Sequence, residues 1–392
     1  MFKILKYKYF KIIIVSLLFF CSFFIKDKNI LIKIKDELIK KPQNYLEKKS
    51  LDELFTSKVK KHSILIFEPN KYHHECIPGY SNYFLNLGYN VDIIIHIFGI
   101  DSLNLFPDFR NIRLFIFYNK KEIEKNCKKL SIIIKKYDYI LLQSTDKSKK
   151  RLYIKLKLFN INNCIFVFHD ISWADRRYSR YFKKNRIWTL GNISKCLQVN
   201  PHYFGNIIIK NKNEKTRFFL TSTLYRNYTY LIESAKLLKK ENFNFEIIIL
   251  GRAKRLDPQT IPISLSDNFI FKQNVSYVDL YNYVESSDFI IIPLDANSKN
   301  DIQYNKTKVT GSAQLVYGFL KPAIINEKFS YFYNLNSENS LLYNNSNLYN
   351  IMRNAILLTD KDYKKLQSNL QIIEKEIYKI SINNIKKVIK EL

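Results

Sequence analysis

Short, uninterrupted apolar runs separated by helix-length segments are the feature that most constrains the fold of this chain. A first series comprises SILIF (63–67), VDIIIHIF (91–98), IRLFIF (112–117), YILLQ (139–143) and CIFVFH (164–169). A second series comprises RFFLTS (217–222), FEIIILG (245–251), FIFK (269–272), FIIIPL (289–294) and PAII (322–325). Strands that are apolar without alternation are typical of parallel sheets covered by helices on both faces. The pattern predicts an α/β protein with two doubly wound, Rossmann-like domains.

The two series also indicate where the domains divide. With 392 residues, the chain has room for two ordinary domains after a leader. The Asn- and Lys-rich piece at 205–215 is the predicted linker, so we expect a first domain over residues 61–205 and a second over residues 206–392. Helices are predicted between strands, as at 228–240 and 277–286, and a long amphipathic helix is predicted from about Lys361 onward.

The N-terminus carries a separate signal. Residues 12–25, IIIVSLLFFCSFFI, are 14 uncharged and mostly apolar residues between Lys11 and Lys26. A bilayer span needs about 20 residues, so flanking Tyr9, Phe10 and snorkelling lysines would have to extend the run. No Ala-x-Ala type cleavage site follows. We expect an uncleaved membrane anchor or interfacial helix, followed by a charged helical stalk, over residues 1–60.

Composition excludes several classes of function. The formal net charge of +29 would suit nucleic acid, a membrane surface or an anionic substrate. However, Lys, Asn, Ile, Phe and Tyr are all abundant together, as AT-rich coding would produce, and no nucleic-acid-binding signature is found. The five cysteines are scattered and never spaced Cys-x-x-Cys, which argues against a disulfide scaffold or a zinc site. We therefore expect no nucleic-acid partner, no cofactor and no metal.

Ligands of doubly wound sheets bind beyond the carboxyl ends of the strands, so residues there are the candidates. After the first strand, Pro78-Gly79 precedes a helix; Gly79 either lets backbone approach a phosphate or sugar, or simply makes a tight turn. In the same loop, His73, His74 and Glu75 could be acid/base or metal groups. Because no third ligand follows at a suitable spacing, the sequence favours acceptor-side contacts or simple loop polarity over a metal site.

The end of the fifth strand gives a sharper candidate pair. In FVFHDISW, His169 and Asp170 lie where a buried strand meets a loop, so both are expected to project into a cleft. A catalytic role and a structural role are equally compatible with His169, and Asp170 could orient it or cap a helix.

The stretch KVTGSAQLVYGFLKPAII (308–325) suggests an anion site. A Gly-Ser pair opens an apolar helix that leads to Lys-Pro and a strand. Small residues at a helix N-terminus leave backbone N–H groups pointing outward, and the helix dipole favours an anion there. A phosphate group is therefore one candidate ligand at this helix.

Taken in order, these segments resemble a known family. FFLTSTLYRNYTYLIESAKLLKK, FEIIILG, DNFIFKQNVSYVDLYNYVESSDFIIIPL and KVTGSAQLVYGFLKPAII resemble the C-terminal domain of GT-B glycosyltransferases of the group-1 (family 4-like) type. IPGYSNYFLNLGYNVDI and VFHDIS are similar to its N-terminal half. The resemblance covers most of residues 61–390 and is specific only as an ordered set. It implies two domains facing one cleft, with the final helix packing back on the first domain.

The resemblance also implies roles for individual residues. The diphosphate of a nucleotide-sugar donor would lie at Thr310, Gly311 and Ser312. Further implied contacts are cations for the departing nucleotide, a residue near the base, a histidine on the transferred sugar and a glycine near the donor: Arg226 and Lys308, Tyr277, His169, and Gly79.

One departure from the family pattern affects the mechanism. Many group-1 members carry two glutamates eight positions apart across this helix. Here the candidate positions hold Lys308 and either Leu315 or Val316, with Gln314 beside them. Contacts attributed to those glutamates, and retention of anomeric configuration, therefore do not carry over.

These observations lead to three functional hypotheses. The first is a metal-independent glycosyltransferase that transfers a sugar from a nucleoside diphosphate sugar to a membrane-associated or surface-glycan acceptor, such as a glycan or glycolipid. The second is a catalytically inactive GT-B-fold binding or assembly subunit at the membrane. The third is an anchored protein that binds anionic lipid through its basic surface. For the first, we expect membrane association with the catalytic domains in the cytoplasm.

Overall fold

The computed structural model describes residues 50–97, 111–117, 120–193, 195–202, 208–221, 228–251, 261–344 and 346–390. Within these ranges the chain forms two parallel sheets, one after the other along the sequence. The predicted pair of Rossmann-like domains is therefore confirmed.

The first sheet has seven parallel strands in the order β3-β2-β1-β4-β5-β6-β7. Its central strands are buried along their whole length, as their continuous apolar sequences require. The strands are β1 (Ser63–Glu68), β2 (Asn90–His96), β3 (Ile112–Phe117), β4 (Tyr139–Leu142), β5 (Cys164–Phe168), β6 (Ile187–Thr189) and β7 (Leu197–Gln198).

The second sheet has six parallel strands in the order β10-β9-β8-β11-β12-β13, which repeats the arrangement of the first six strands of the other sheet. The strands are β8 (Thr216–Thr221), β9 (Phe245–Gly251), β10 (Phe269–Gln273), β11 (Phe289–Ile292), β12 (Ala323–Asn326) and β13 (Leu341–Tyr343).

An aspartate in the same position anchors the centre of each sheet. Asp138, just before β4, accepts a hydrogen bond from the Ser63 N–H at 2.8 Å. Asp288, just before β11, accepts one from the Arg217 N–H, also at 2.8 Å. Each carboxylate thus binds the start of the first strand of its sheet to the start of the fourth, so the two domains share this detail as well as their strand order.

Helices cover both faces of each sheet. They are α1 (residues 50–56), α2 (Ile77–Asn86), α3 (Lys120–Lys125), α4 (Cys127–Ile134), α5 (Lys150–Lys155), α6 (Ser179–Lys183), α7 (Thr229–Lys240), α8 (Tyr277–Glu285), α9 (Gly311–Phe319), α10 (Glu327–Ser330), α11 (Leu348–Leu357) and α12 (Asp360–Lys390). Apolar residues of α1, α3, α4, α5 and α6 share one cluster on one face of the first sheet, and we call these five helices the outer layer. Residues of α2, α9 and α12 share the cluster that joins the two domains.

Helix α1 differs from the sequence prediction. Residues 50–60 were assigned to a stalk, but Leu51 and Leu54 are buried in the core of the first domain. The first domain thus includes residues on the N-terminal side of residue 61. The predicted anchor at residues 12–25 lies outside the described residues, and no helix among those described is long and apolar enough to cross a membrane.

The long helix α12 belongs to both domains. Near its start, Gln367 donates to the Leu320 carbonyl of the second domain at 3.1 Å. Farther along, the Ser381 hydroxyl accepts from the Asn200 N–H at 3.0 Å, and the Ile389 carbonyl accepts from the Tyr139 hydroxyl at 3.2 Å in the first domain. One helix therefore ties the two sheets together across their junction.

Candidate functional site

A cleft of about 540 Å³ lies between the two domains, beyond the carboxyl ends of their strands. Both domains contribute to its walls. From the first domain come Tyr72, His73, Glu75, Cys76 and Pro201, and from the second come Thr221, Tyr277, Leu280, Tyr281, Tyr304, Val309, Thr310, Gly311, Ser312, Gln314 and Leu315. The predicted donor residues Tyr277, Thr310, Gly311 and Ser312 are thus brought together in one cleft.

The N-terminus of α9 opens into this cleft. Thr310 is its N-cap in extended backbone conformation, and no side chain caps the helix. A Cβ atom placed on Gly311 would meet no atom within 4 Å, so the space in front of the first turn is open. The Ser312 hydroxyl is instead held by the Thr221 hydroxyl at the end of β8, 3.0 Å away. This arrangement leaves backbone N–H groups and the positive end of the helix dipole facing the cleft.

Gln314, one turn into α9, adds a second polar group to the same wall. The residue is 7% exposed, and neither its amide nitrogen nor its amide oxygen has a hydrogen-bond partner among the described residues. A buried amide without partners is costly, so it indicates a group that is satisfied when something polar enters the cleft. In the sequence, Gln314 stands out only as a neighbour of the position at which the family pattern has its second glutamate.

The opposite wall carries two stacked histidines. The rings of His73 and His169 are 3.8 Å apart and nearly parallel. Burial, followed by the proximity of His73, lowers the pKa of His169 well below its ordinary value, so its ring is neutral at pH 7. The His169 Nε2 atom is buried without a partner among the described residues. His73, not His169, lines the cleft.

Glu75 joins this wall to the other domain. Its carboxylate accepts a hydrogen bond from the Tyr277 hydroxyl at 2.9 Å and lies 3.5 Å from His73 Nδ1. Burial raises the pKa of Glu75, but the combined effects of His73, the backbone and Tyr277 outweigh it and lower the pKa to about 2. Tyr277, which was expected near the nucleotide base, thus also bridges the two walls of the cleft.

A second bridge between the domains joins two further predicted residues. Asp170 and Lys308 pair as an isolated antiparallel β-bridge, and Lys308 Nζ lies 3.4 Å from the Asp170 carboxylate. The Ile171 N–H donates to the Thr307 carbonyl at 2.9 Å beside them. Asp170 also accepts from the Ser172 N–H and so caps the short helical turn that follows it. The pair therefore fixes the junction of the two domains directly beside the cleft.

The structure gives Gly79 a packing contact. A Cβ atom placed on this residue of α2 would lie 2.6 Å from the Pro201 carbonyl oxygen, which is closer than atoms can approach. Pro201 itself lines the cleft, so Gly79 lets α2 approach the cleft wall from behind. Its contact with a donor stays a prediction.

Two further predictions from the sequence are a cation at Arg226 and the absence of a metal ion. Arg226 lies outside the described residues. In the described part of the chain, no group of three or more His, Cys, Asp or Glu side chains could hold a metal ion.

Comparison with solved structures identifies the fold. The sequence matches no protein-family model and no curated protein sequence. The structure is similar to a glycosyltransferase from Rickettsia africae ESF-5, with a TM-score of 0.53 and 14% identity over 85% of this chain and 99% of that one. A variant of TarM from S. aureus, in complex with fondaparinux, alpha-GlcNAc-glycerol and UDP, gives a TM-score of 0.55 and 10% identity over 84% of this chain and 99% of that one.

A third similar structure is also that of a glycosyltransferase. It is an alpha-glucosyltransferase in complex with UDP and a 13-mer DNA containing an HMU base, with a TM-score of 0.52 and 11% identity over 81% of this chain and 99% of that one. The chain thus has the two-domain GT-B fold of glycosyltransferases along most of its length, as its sequence predicts.

Proposed function

We propose that this protein is a glycosyltransferase that transfers a sugar from a nucleoside diphosphate sugar to a membrane-associated or surface-glycan acceptor. The observation that carries the proposal is the uncapped N-terminus of α9, open at Gly311 and flanked by the unpartnered amide of Gln314. A diphosphate satisfies the backbone N–H groups, and sugar or ribose hydroxyls satisfy the amide.

In this proposal the N-terminus of α9 is the main group that stabilises the leaving nucleoside diphosphate. As the bond between the sugar and the diphosphate breaks, negative charge grows on the diphosphate, and the N–H groups of Gly311 and Ser312 stabilise it. The family resemblance assigns Arg226 a further positive charge for the diphosphate. Lys308 adds its charge from beside the cleft, where Asp170 holds it. These groups would let the enzyme act without a metal ion.

The nature of the donor is proposed from the same group of structures. Two of the similar proteins were solved in complex with UDP, so a UDP-sugar is the first donor to test. The opposite wall, formed by the loop after β1, would receive the acceptor, which we propose to be a glycan or glycolipid.

The proposed membrane association rests on the uneven distribution of charged residues along the chain. Residues 120–190 contain 19 Lys and Arg but 6 Asp and Glu, whereas residues 206–392 contain 26 and 18. A compositional bias of the whole chain would act on both segments, so it does not account for the difference between them. Ten of these 19 basic residues lie in helices α3 to α6 of the outer layer, and five of the ten are on α4 and α5.

Exposed apolar residues stand among these cations. Ile132 on α4 is 63% exposed and Ile154 on α5 is 49% exposed. Lys128 precedes Ile132 by one turn and Arg151 precedes Ile154 by almost one turn, and both cations are exposed. Helix α1, which the apolar run at residues 12–25 precedes, belongs to the same layer. An anchored protein would therefore present this layer to the anionic cytoplasmic leaflet, where each nearby cation is worth about 1 kcal/mol.

Titration calorimetry with UDP, GDP and ADP tests the donor site, and product formation from the matching UDP-, GDP- or ADP-sugars then tests transfer. Binding and turnover together support the enzyme. Binding without turnover on any donor and acceptor would indicate an inactive binding subunit, and no binding of any of the three would overturn the proposal.

A separate experiment tests the proposed membrane association. Deleting residues 1–30 should move the protein from the membrane fraction to the soluble fraction while nucleotide affinity stays unchanged. Any remaining sedimentation with vesicles that contain phosphatidylglycerol should be lost when Lys128→Glu and Arg151→Glu are combined. If the truncated protein still sediments equally with neutral vesicles, the anchor reading is wrong.

A further inference from the structure

The first domain carries a strongly basic surface at the carboxyl edge of its sheet, on the side of the cleft. It consists of two turns, residues 146–150 after β4 and residues 175–180 after β5, which we call the basic rim. These 11 residues contain six Lys and Arg but two Asp. Four of the six cations have exposed side chains: Lys147, Arg176, Arg177 and Arg180.

The two carboxylates of the basic rim are engaged within it. Asp175 forms an ion pair with Lys150, which joins the turn after β5 to the turn after β4. Asp175 also lies 3.2 Å from Arg177 Nη1 and accepts from the Arg177 N–H at 3.0 Å. Asp146 accepts from two backbone N–H groups of its own turn. The two turns therefore form one continuous surface.

Lys147 and Arg176 stand apart from these pairs. Among the described residues, no ion pair joins either of them to a carboxylate. Both side chains are exposed, one on each turn of the basic rim. They are thus the two cations with the least to lose when an anionic ligand binds.

Tyr72 connects the basic rim to the cleft. Its ring lines the cleft, and its hydroxyl donates to the Asp146 carboxylate at 3.2 Å. The ring also packs edge-on against His73, a second residue of the same wall, with 5.0 Å between the ring centroids. A ligand that extends out of the cleft past Tyr72 therefore meets the basic rim.

The abundance of lysine in this chain does not account for the basic rim. The chain has 12 Arg among its 64 Lys and Arg, and three of the 12 lie within residues 176–180. The second sheet repeats the strand order of the first, so the turn after its β11 corresponds to the turn after β4. That turn, residues 293–308, contains three Lys and two Asp. The excess of positive charge is thus confined to the first-domain side of the cleft.

The composition of the basic rim fits a hydrophilic anion better than a lipid bilayer. No large apolar side chain is exposed within residues 146–150 or 175–180, and Tyr178 is buried. The exposed Ile132 and Ile154 lie elsewhere, in α4 and farther along α5. Arginine side chains bind phosphate and carboxylate groups through two parallel hydrogen bonds, so both groups suit this surface.

We propose that the acceptor of this enzyme is an anionic glycan, whose phosphate or carboxylate groups bind the basic rim while the hydroxyl that receives the sugar lies in the cleft. This inference rests on the proposed glycosyltransferase function and names the class of its acceptor. Positive charge along one side of a cleft raises the local concentration of an anionic ligand and the rate at which it associates. The basic rim thus captures the chain, and the cleft receives its end.

The test uses the full-length protein with its donor site filled by the nucleoside diphosphate that it binds most tightly, so that an anionic probe does not bind at the N-terminus of α9. Calorimetry then compares tetragalacturonate and maltotetraose phosphate with neutral maltotetraose. We expect at least one anionic probe to bind about 10-fold or more tightly than maltotetraose, with an affinity that falls as salt rises.

The outcomes separate this inference from the proposed function. If a nucleoside diphosphate binds but neither anionic probe is preferred over maltotetraose, the anionic acceptor is wrong and the donor site stands. If none of UDP, GDP and ADP binds, the proposed function itself fails.

A double variant locates the binding surface. Combining Lys147→Gln with Arg176→Gln removes two charges without breaking an ion pair among the described residues. The Kd for the anionic probe should rise about 5- to 30-fold, because each exposed charge contact contributes modestly. The Kd for the nucleotide and the melting temperature should not change. Unchanged affinity for the probe would contradict the role of the basic rim.

The chain offers a matched control on α12. Lys379 and Lys386 are exposed, and this end of α12 contacts Tyr139 at the start of β4, at the edge of the first sheet opposite the cleft. Combining Lys379→Gln with Lys386→Gln removes the same charge and should change the Kd for the probe less than about twofold. An equal loss in both double variants would show that net charge alone binds the probe, and the proposal would fail.

Two further probes distinguish other sources of the same anionic groups. These are an eight-nucleotide oligothymidylate and vesicles that contain phosphatidylglycerol. Tighter binding of the oligothymidylate than of either glycan, with loss in the Lys147→Gln, Arg176→Gln protein, would assign the basic rim to nucleic acid. Loss of vesicle binding alone in that protein would assign it to the membrane. Either result would overturn the anionic acceptor.

Discussion

A substitution at Gly311 should separate the effect on ligand binding from the effect on folding. A Cβ atom on Gly311 meets nothing within 4 Å, so the branched side chain of Gly311→Val fits without displacing a neighbour. Val is also no worse than Gly inside a helix, so the free energy of unfolding should change by less than about 1 kcal/mol. The melting temperature should then stay within about 4 °C of wild type.

The same side chain fills the space in front of the first turn of α9. Hydrogen bonds from N–H groups to a charged acceptor contribute about 1.5–3 kcal/mol each. If the N–H groups of Gly311 and Ser312 both lose a diphosphate, binding weakens by about 3–6 kcal/mol, or roughly 10²–10⁴-fold in Kd. Gly311→Ala, with a smaller side chain, should give an intermediate loss.

Calorimetric titration of UDP or GDP into each variant, with thermal unfolding of the same samples, measures both quantities. Unchanged nucleotide affinity in a folded Gly311→Val protein would refute the phosphate site and the main argument for a glycosyltransferase. A matching fall in melting temperature would show that the glycine is required for packing, contrary to the open space that the structure shows.

Three further predictions concern other parts of the two domains. Gly79→Ala should lower the melting temperature strongly, because its Cβ would meet the Pro201 backbone; a stable variant in a thermal scan would show that α2 can move away. His169→Ala should lower kcat far more than it weakens UDP binding, and a loss confined to nucleotide affinity would contradict its place behind His73. Burial raises the pKa of Glu68 to about 8 from 4.5, so Glu68 ionises at a lower pH in the unfolded chain than in the folded protein. The free energy of unfolding therefore falls as pH rises between these two values. Urea unfolding should show a loss on the order of 3–5 kcal/mol from pH 5 to pH 8 in wild type and a flatter profile in Glu68→Gln. Equal profiles would mean that Glu68 is solvated.

The sequence predicts much of the architecture because continuous apolar strands are a local signal. The runs at 63–67 and 289–294 could be recognised without any knowledge of their neighbours. Strands β6, β7 and β13 were not predicted, since two or three residues are too few to show a pattern. Helix α1 was misassigned because its buried face consists of little more than Leu51 and Leu54 in a charged segment.

The site was less predictable because its contacts join distant parts of the chain. Glu75 and Tyr277 are 202 residues apart in sequence, yet their side chains meet across the cleft. The sequence around either residue contains no pattern that predicts a contact with the other. The loop sequence HHE (73–75) favoured acceptor-side contacts or loop polarity, but the left-handed backbone of His73 and its contacts with Gln143 and Glu75 are visible only in the folded protein. Gly79 has a packing contact with Pro201 that sequence spacing could not reveal.

Helix α12 has a consequence for how this protein is made. The contact between Asn200 and Ser381 joins residues 181 positions apart, and Ile385 and Val388 belong to the same core cluster as Tyr83 and Tyr139 of the first domain. At 5–20 residues per second, a ribosome delivers that part of α12 roughly 10–40 s after the first sheet has been synthesised. During this interval the first domain exposes an apolar strip that its own residues do not cover. Newly made chains would then depend on a chaperone, or on early contact with the second domain, to keep that strip from aggregating.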